Sequence, residues 1–267
     1  MPLSVCATPI GNLDDITLRV LRELAEADLV LCEDTRHTGL LLKRHGIDAT
    51  LKSYHEHNEA ARTAEVLPRL EAGERIALVS DAGLPGVSDP GARLITAALE
   101  AEVPVTVLPG PSAVETALVG SGLVSERYQF VGYLPRGERE RAQLWEELAR
   151  WPYAVVAFES PRRLPASLGS LATAMPERTV AVCRELTKRF EEVFRGTARE
   201  AAARFAEPPK GEITVVLGDF PSRPQDTAGA LAAVAELVEA GAGRRQAADV
   251  VARLTGQSRN RLYRGSL

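Results

Sequence analysis

Short hydrophobic runs alternate with amphipathic stretches along the first part of the chain, and this alternation predicts strands connected by helices. Segments rich in Ala and Leu with helical spacing lie between the predicted strands. Strands that alternate with helices usually form a parallel sheet, so residues 1–120 are expected to form an N-terminal α/β domain. The predicted strands are Leu3 to Ala7, Leu29 to Cys32, Ile76 to Val79 and Val103 to Leu108.

A second group of strands follows, and residues 121–219 are expected to form a C-terminal α/β domain. The stretch from Gly120 to Glu126 has no clear period and is the expected boundary. The segment from Asp219 to Thr227 contains two prolines and is an expected linker. The predicted elements are strands at Gln129 to Tyr133, Ala154 to Phe158, Val180 to Cys183 and Ile213 to Leu217, and a charged helix from Gly137 to Trp151.

The last segment, residues 227–267, has the pattern of a small helical tail. A helix from Ala230 to Ala240 is stopped by glycines, and a second helix is expected from Arg244 to Leu254. After a turn at Thr255-Gly256, Ser258 is placed to cap a short final helix. Two helices joined by a glycine-containing turn resemble a helix-turn-helix, although such pairs also occur as plain packing units.

Composition narrows the class of protein. Apolar residues make up 45% and aromatic residues 5% of the 267 residues, which suits an α/β protein. No signal-peptide pattern and no apolar run near the roughly 20 residues that span a bilayer are found, so a cytoplasmic protein without a membrane partner is expected. Cys6, Cys32 and Cys183 are far apart in strand-like runs, which predicts buried free thiols rather than disulfides or a zinc site.

Charge is unevenly distributed along the chain. The formal net charge is -4, yet the segment from Gly241 to Leu267 contains six arginines and one aspartate. A local cluster of arginines is typical of a contact with a polyanion, because phosphate attraction depends on nearby charge. The alternative is a solvated helical surface with ordinary arginines. The residues proposed to contact RNA in the tail are Arg244, Arg245, Arg259 and Arg261.

Three loops rich in Gly and Pro follow predicted strands: ATPIGN, VSDAGLPGVSDPG and LPGPS. Open α/β sheets bind ligands at the carboxyl ends of their strands, and Asp81 supplies a carboxylate there. Neither a Walker loop nor a GxGxxG spacing is found, and a purely structural loop remains the alternative. His55 and His57 are spaced as metal ligands could be, but no third ligand has a suitable spacing, so no metal site is expected.

Taken together, the motifs ATPIGNLDDITLR, VLCEDTRHTGLLL, SYHEHNE, VSDAGLPGVSDPG, LPGPSA, GYLPR, FESPRRL and CRELTKRFEEVFRGT resemble the tetrapyrrole methylase superfamily in order. The long motifs and the tail sequence TGQSRNRLY are similar to its ribosomal RNA cytidine 2'-O-methyltransferase branch. This resemblance covers nearly the whole chain. It implies two α/β domains with S-adenosylmethionine in the cleft between them, a homodimer, and methylation of a cytidine ribose in 16S rRNA at the decoding site of the assembled small ribosomal subunit.

The resemblance also implies which residues bind the cofactor. Tetrapyrrole-modifying members have a GxGPGD-like first loop and a shorter GDP-type second loop, whereas this chain has ATPIGN and DAGLPGVSDPG. Both departures argue against a porphyrinoid substrate. They also leave open whether Leu84 or Val87 contacts the cofactor. The implied cofactor-binding residues are Pro9, Ser80, Asp81, Ala82, Leu84, Val87, Ser112, Ala113, Phe158 and Leu186.

Methyl transfer is a displacement that depends chiefly on positioning, and a carboxylate or imidazole near the ribose hydroxyl could accept its proton. Asp34 is the preferred base, with Arg36 or Lys188 on RNA phosphate. Glu33 and Asp34 could instead cap the next helix. Arg162 and Arg163 could grip the RNA backbone or be surface charges. The full candidate set for chemistry is Glu33, Asp34, Arg36, His55, Glu56, His57, Glu185 and Lys188.

Two other functions remain open from sequence. The first is a small-molecule methyltransferase of the same superfamily, which would not need the basic tail. The second is a DNA-binding regulator that uses the tail and senses a ligand in the cleft, and it would need a symmetric partner to span two half-sites. Deleting the tail would weaken methylation of RNA, change little for a small substrate, or abolish DNA binding, respectively.

Overall fold

The computed structural model describes residues 2–219, 227–255 and 257–266. The chain divides into two compact units, Met1–Asp219 and Phe220–Leu267. Residues 220–226 of the predicted linker and Gly256 of the predicted turn lie outside the described residues. The predicted boundary near residue 120 falls inside the first unit and stays a prediction.

The first unit begins with a five-stranded sheet in the order β3-β2-β4-β1-β5. All its strand pairs are parallel, which confirms the parallel sheet predicted from the alternation of strands and helices. Its elements are β1 (Leu3–Cys6), α1 (Leu18–Glu26), β2 (Leu29–Cys32), α2 (Thr35–Arg44), β3 (Leu51–Ser53), α3 (Glu59–Glu71), β4 (Ile76–Val79), α4 (Ala92–Glu100), β5 (Val105–Leu108) and α5 (Ala113–Ser121).

Both faces of this sheet are covered, as shown by β1, β2 and β4, which are buried at every position. Successive strand side chains point to opposite faces, so each strand contributes to two separate cores. Leu3, Val5 and Leu31 belong to one core, and Cys6 and Val30 belong to the other. The continuous apolar runs of the sequence are therefore the centre of a sheet with helices on both sides.

The second sheet has the order β6-β7-β10-β8-β9 and is antiparallel except for the pair β6 and β7. The last strand, β10, is central, between β7 and β8. This sheet and its helices comprise β6 (Tyr128–Tyr133), α6 (Glu138–Leu148), β7 (Ala154–Glu159), α7 (Leu164–Ala174), β8 (Thr179–Arg184), β9 (Glu192–Thr197), α8 (Ala198–Arg204) and β10 (Ile213–Leu217).

Helix α5 joins the two sheets into one unit. It follows the last strand of the first sheet, yet Val114, Ala117 and Leu118 share a core with Val156 and Val216 of the second sheet. The predicted α/β fold class with a small helical tail is confirmed, since two mixed sheet-and-helix regions precede the C-terminal helices. The division of the first unit into two α/β domains stays a prediction. The chain therefore crosses from one sheet to the other through a helix that packs against the second.

The three cysteines are free and buried, as predicted. Burial raises the pKa of the Cys6 thiol to about 12 and that of Cys183 to about 11. The thiols are therefore protonated near neutral pH, where they behave as small apolar side chains.

The second unit consists of α9 (Thr227–Glu239), α10 (Arg244–Thr255) and α11 (Arg259–Gly265). Ala230, Val234, Ala247, Val251 and Leu262 are in its small core. Ser258 is the N-cap residue of α11, as predicted, but its side chain makes no capping hydrogen bond. Five of the six arginines predicted to form the basic surface are exposed, namely Arg245, Arg253, Arg259, Arg261 and Arg264.

Within the described ranges, we find no helix with the combination of length and hydropathy needed to cross a bilayer.

Candidate active site

A cavity of about 760 Å³ lies in the first unit, between loops of the two sheets. This volume is in the usual range for sites that enclose a small molecule or cofactor. The first sheet contributes the loops after β1, β2, β4 and β5, and the second sheet contributes residues of β6 and the ends of β7, β8 and β10. The site is therefore at the carboxyl ends of the parallel strands, where the glycine- and proline-rich loops predicted it.

Most of the residues predicted to bind a cofactor lie in the wall of this cavity. They are Asp81, Ala82, Leu84, Val87, Ser112, Ala113, Phe158 and Leu186. Both Leu84 and Val87 line the cavity, so the geometry does not favour one of the two. Pro9 and Ser80 are buried beside the lining residues Ile10 and Asp81.

The first and second loops are held together by backbone hydrogen bonds. The Thr8 N–H donates to the Gly83 carbonyl at 2.8 Å, and the Gly83 N–H donates back to Thr8 at 3.1 Å. The Thr8 hydroxyl also donates to the Ser80 carbonyl at 3.0 Å. The Ser80 hydroxyl is shared between the carbonyls of Ala82 and Gly83. Ser80 therefore shapes the loop from within.

The first loop also touches the segment that follows β8. The Asn12 N–H donates to the Thr187 hydroxyl oxygen at 2.9 Å. A Cβ added to Gly11 would lie 2.5 Å from Lys188 Cγ and 2.9 Å from the Leu186 carbonyl oxygen, so only glycine fits there. Thr187 has a φ of 65°, in the left-handed region that non-glycine residues seldom adopt. This contact joins a loop of the first sheet to one of the second.

Two of the candidate catalytic residues, Glu185 and Lys188, do not line the cavity. Their side chains instead stabilise the segment that follows β8. The Lys188 Nζ donates to Glu185 Oε1 at 3.0 Å and to Glu212 Oε2 at 2.9 Å. Glu185 Oε1 also accepts the Glu212 N–H at 3.0 Å, and that hydrogen bond is the main cause of a lowered pKa of the Glu185 carboxyl. Both side chains are therefore engaged within the protein.

Glu33 and Asp34 are adjacent in sequence but differ in environment. Glu33 lines the cavity. Asp34 is the N-cap of α2 and accepts the Arg36 N–H at 2.8 Å, which confirms the capping alternative for this residue. Its carboxylate also accepts two hydrogen bonds from the Arg36 guanidinium, at 2.7 and 3.1 Å. The Arg36 side chain is the main cause of a strongly lowered pKa of the Asp34 carboxyl, which makes Asp34 a weak base.

Six acidic residues of the described chain line this cavity. Three of them, Glu33, Asp81 and Asp89, follow strands β2 and β4 of the first sheet. Asp81 accepts the Asp34 N–H at 3.1 Å, which fixes its position. Burial, and then the charges of Glu33 and Asp81, raise the pKa of Asp89 to about 6. Burial and the charge of Asp81 also raise the pKa of Glu33. Within the described part of the chain none of the three forms a salt bridge, so the cavity suits a cationic group.

Sequence reasoning selected Glu33 and Asp81 but missed Asp89. The sequence contains a feature that could have identified Asp89. The tripeptide Val-Ser-Asp occurs twice in the motif VSDAGLPGVSDPG, ending at Asp81 and at Asp89. The intervening loop turns the second copy back into the cavity. Aromatic side chains were also missed, since Phe130 and Tyr133 line the cavity with Phe158.

The YHEHNE motif does not assemble a metal site in the described residues, among which no group of three potential ligands is found. The His55 and His57 rings are 6.0 Å apart, and Glu56 and His57 are exposed. The Nε2 of His55 lies 3.1 Å from Asn58 Nδ2. The residues of this motif therefore form the turn before α3, and two of their side chains are exposed to solvent.

The two arginines predicted to grip RNA after β7 also differ. Arg162 is exposed, whereas Arg163 forms an ion pair with the fully buried carboxylate of Glu159. A buried charge that loses its partner is costly, so Arg163 is committed to the fold. In the second unit, the Arg245 guanidinium lies 5.8 Å from the Tyr263 ring centre, and Arg259 and Arg261 extend into solvent.

Comparison with known proteins identifies relatives of this chain. The profile of the Tetrapyrrole (Corrin/Porphyrin) Methylases matches residues 2–202. A protein of Micromonospora olivasterospora named ribosomal RNA small subunit methyltransferase I is 44% identical over 98% of this chain and 85% of its own length. A protein of the same name from Synechocystis is 44% identical over 99% of this chain and 97% of its own.

Among solved structures, uroporphyrin-III C-methyltransferase from Thermus thermophilus, in complex with S-adenosyl homocysteine, has the same fold. The TM-score is 0.58 at 18% identity, and the alignment covers 81% of this chain and 96% of that one. Since this identity is low, the likeness concerns the fold.

The contact at Gly11 generates a stability prediction. Replacing Gly11 with Ala places a Cβ against the Leu186 carbonyl and the Thr187 hydroxyl, so the two loops must separate. We expect a loss of about 1–3 kcal/mol in the free energy of unfolding, measured by urea denaturation. Gly120→Ala is the control for an added Cβ that meets nothing within 4 Å. Since Gly120 lies in α5, alanine there should leave stability unchanged or raise it by up to about 1 kcal/mol. Equal stability of the two variants would contradict the proposed close contact.

Proposed function

The chain belongs to the tetrapyrrole methylase family, and on that premise we propose that it transfers a methyl group from S-adenosylmethionine to a cytidine ribose 2'-hydroxyl in 16S rRNA. The observation that carries this proposal is the similarity to proteins named for methylation of small-subunit ribosomal RNA. That similarity extends over 98% of the chain, and so includes the arginine-rich second unit. The family's small-molecule alternative is not favoured, because relatives at this identity are named for RNA.

The residues of the cavity fit the proposed cofactor. Four lining carboxylates form no salt bridge among the described residues and complement the positive sulfonium and amino groups: Glu33, Asp81, Asp89 and Glu115. Leu84, Phe158 and Leu186 offer an apolar wall. The backbone of Ala82 to Leu84 and of Ser112-Ala113 would hold the polar atoms of the nucleoside. When bound, S-adenosylmethionine supplies an electrophilic methyl group. The protein contributes the position and the charge around it.

The structure changes which carboxylate we propose as the proton acceptor. Asp34 was the preferred base from sequence, but its carboxylate is held by Arg36 and has a strongly lowered pKa. Asp89 lines the cavity and has a pKa raised to about 6, close to the range in which a general base works best near neutral pH. We assign proton acceptance to Asp89, with Glu33 and Asp81 as the neighbouring charges that tune it.

The second unit is proposed to attract RNA. Arg245, Arg259 and Arg261 are exposed on α10 and α11, and Arg244 is partly exposed. Exposed arginines supply phosphate contacts that orient a nucleic acid without reading its sequence. The proposed substrate is the decoding-site cytidine of the assembled small subunit, and the proposed location is the cytoplasm. The homodimer implied by the family stays a prediction for sedimentation analysis.

Methyl transfer to purified subunits tests the function. Small ribosomal subunits that lack the modification are incubated with tritiated S-adenosylmethionine and the protein, and the rRNA is then digested to nucleosides. Label in 2'-O-methylcytidine is the expected result. Label in a tetrapyrrole acceptor but not in rRNA would contradict the proposal.

The pH dependence of methylation tests Asp89. Because the acceptor must be deprotonated, kcat/KM for subunits should rise about tenfold per pH unit below the pKa of Asp89 and level off above it. That pKa is about 6 in the free protein, and the charge of the bound sulfonium should move the limb to a lower pH. Asp89→Asn removes the acceptor, so we expect a rate lower by on the order of a hundredfold, without the acidic limb.

Glu33→Gln is the companion variant for this pH series. It removes a negative charge that raises the pKa of Asp89, so the acidic limb should move to lower pH while methylation persists. Loss of the limb in Glu33→Gln and its retention in Asp89→Asn would assign proton acceptance to Glu33 instead.

The arginines of the second unit generate a further prediction. Replacing Arg245, Arg259 and Arg261 with Gln should raise KM for subunits and reduce the steepness with which binding falls as salt increases, because each phosphate contact releases counterions. The affinity for S-adenosyl homocysteine should stay unchanged. Arg136, Arg139 and Arg199, all exposed in the first unit, provide a triple replacement of equal charge. Equal effects of the two triple variants would contradict a specific role of the second unit.

A further inference from the structure

Strand β6 contains an irregularity that changes where its side chains point. Successive strand side chains alternate between faces, so residues three apart normally lie on opposite faces. Phe130 pairs with Val156 of β7, but Tyr133 pairs with Phe158, so three steps on β6 match two on β7. Gly132, within this shift, has a φ of 68°. An extra residue of this kind is a bulge, and bulges often redirect a side chain beside an active site.

The bulge brings Phe130 and Tyr133 to the same ring. The centroid of Phe158 is 5.0 Å from that of Phe130 and 5.6 Å from that of Tyr133, and both contacts are edge-to-face. Phe130 and Phe158 are half-buried, whereas Tyr133 is 61% exposed although it lines the cavity. Tyr133 is therefore held by one neighbour while much of its ring remains open to solvent.

Tyr133 lies opposite the second loop of the first sheet. A Cβ added to Gly132 would be 3.8 Å from the Ser88 hydroxyl oxygen, which shows how near the bulge and this loop are. Val87, next to Ser88, lines the cavity and is 49% exposed. Asp89, next to Ser88, lines the same cavity as Tyr133. Partial desolvation of the Tyr133 hydroxyl, and then the charge of Asp89, raise the pKa of that hydroxyl. Two exposed side chains, Val87 and Tyr133, thus line the cavity together with the proposed proton acceptor.

We propose that Tyr133 stacks on the base of the acceptor nucleotide, with Val87 on the opposite side of that base. This inference rests on the proposed RNA methylation and deepens it. The cavity of about 760 Å³ is shared with the cofactor, so what remains is too small for a paired helix and the acceptor nucleotide must leave its stack. Enzymes that act on such nucleotides hold the base between aromatic and apolar side chains.

The contact has a defined consequence for specificity. Stacking on an aromatic face tolerates every base, because each base has a π-face. Tyr133 therefore positions the nucleotide and its ribose near Asp89 without selecting cytosine.

Four substitutions at Tyr133 test the stacking role in the methyl-transfer assay with small subunits. Tyr133→Ala and Tyr133→Leu remove the aromatic face, and kcat/KM for subunits should fall about 5- to 150-fold, the range for loss of one base–aromatic stack. Tyr133→Phe and Tyr133→Trp keep that face and should stay within about threefold of the unsubstituted protein. The Kd for S-adenosyl homocysteine, measured by calorimetry, should be unchanged in all four and also shows that each variant is folded.

Phe190→Ala is the control for an exposed ring elsewhere, since Phe190 is 64% exposed and is outside the cavity lining. It should leave kcat/KM unchanged. Weaker binding of S-adenosyl homocysteine by Tyr133→Ala with an unchanged KM for subunits would assign the ring to the cofactor and overturn the inference. Full activity of Tyr133→Ala, or an equal loss in Phe190→Ala, would overturn it too. Absence of transfer by the unsubstituted protein would contradict the proposed function itself.

Discussion

The site depends on the contact between the loop after β1 and the segment after β8. The Asn12 N–H bonds to the Thr187 hydroxyl oxygen at 2.9 Å, and Gly11 has room for no side chain against Leu186 and Lys188. Each sheet supplies only part of the cavity wall. Because the two sheets meet through these loops, the shape of the cavity follows from a contact that a single Cβ would disturb. The left-handed backbone of Thr187 is part of the same arrangement.

The second constraint is electrostatic. Glu33, Asp81 and Asp89 share one partly buried cavity, and like charges there raise the pKa of Asp89. The repulsion among them is relieved when a cationic group enters, so these carboxylates favour a sulfonium. The positive charge then lowers the pKa of Asp89, which keeps that carboxyl deprotonated and able to accept a proton near neutral pH. Binding and proton transfer are thus consequences of one charge arrangement. Asp34, one residue beyond Glu33, is excluded from it by its ion pair with Arg36.

The hydrophobic pattern of the sequence predicted the buried strands well, because a strand that is buried on both faces requires a continuous run of apolar residues. Strands β2, β4 and β10 match their apolar runs residue for residue. Strands β3 and β9 were missed, since their side chains are half-exposed and their composition is mixed. The antiparallel insertion of β10 between β7 and β8 was also beyond local pattern, because strand order is decided by tertiary pairing.

The residues of the site also divide into those that the sequence predicted and those that only the three-dimensional structure placed. Loop motifs located the cavity, because glycine and proline mark where backbone turns at strand ends. The roles of individual side chains needed three-dimensional information: Asp34 caps a helix, Arg163 pairs with the buried Glu159, and Tyr133 enters the cavity only through a bulge. A one-residue shift in a strand changes the face that a side chain occupies, and neither composition nor spacing revealed it.

Hydrogen exchange with mass spectrometry tests whether one ligand site is built from loops of both sheets. Amide exchange is compared with and without S-adenosylmethionine. We expect slower exchange on binding in residues 8–12, 80–89 and 109–113 of the first sheet and, in the same experiment, in residues 185–188 and 211–214 of the second. Protection confined to the loops of one sheet, or absent from both, would contradict this expectation.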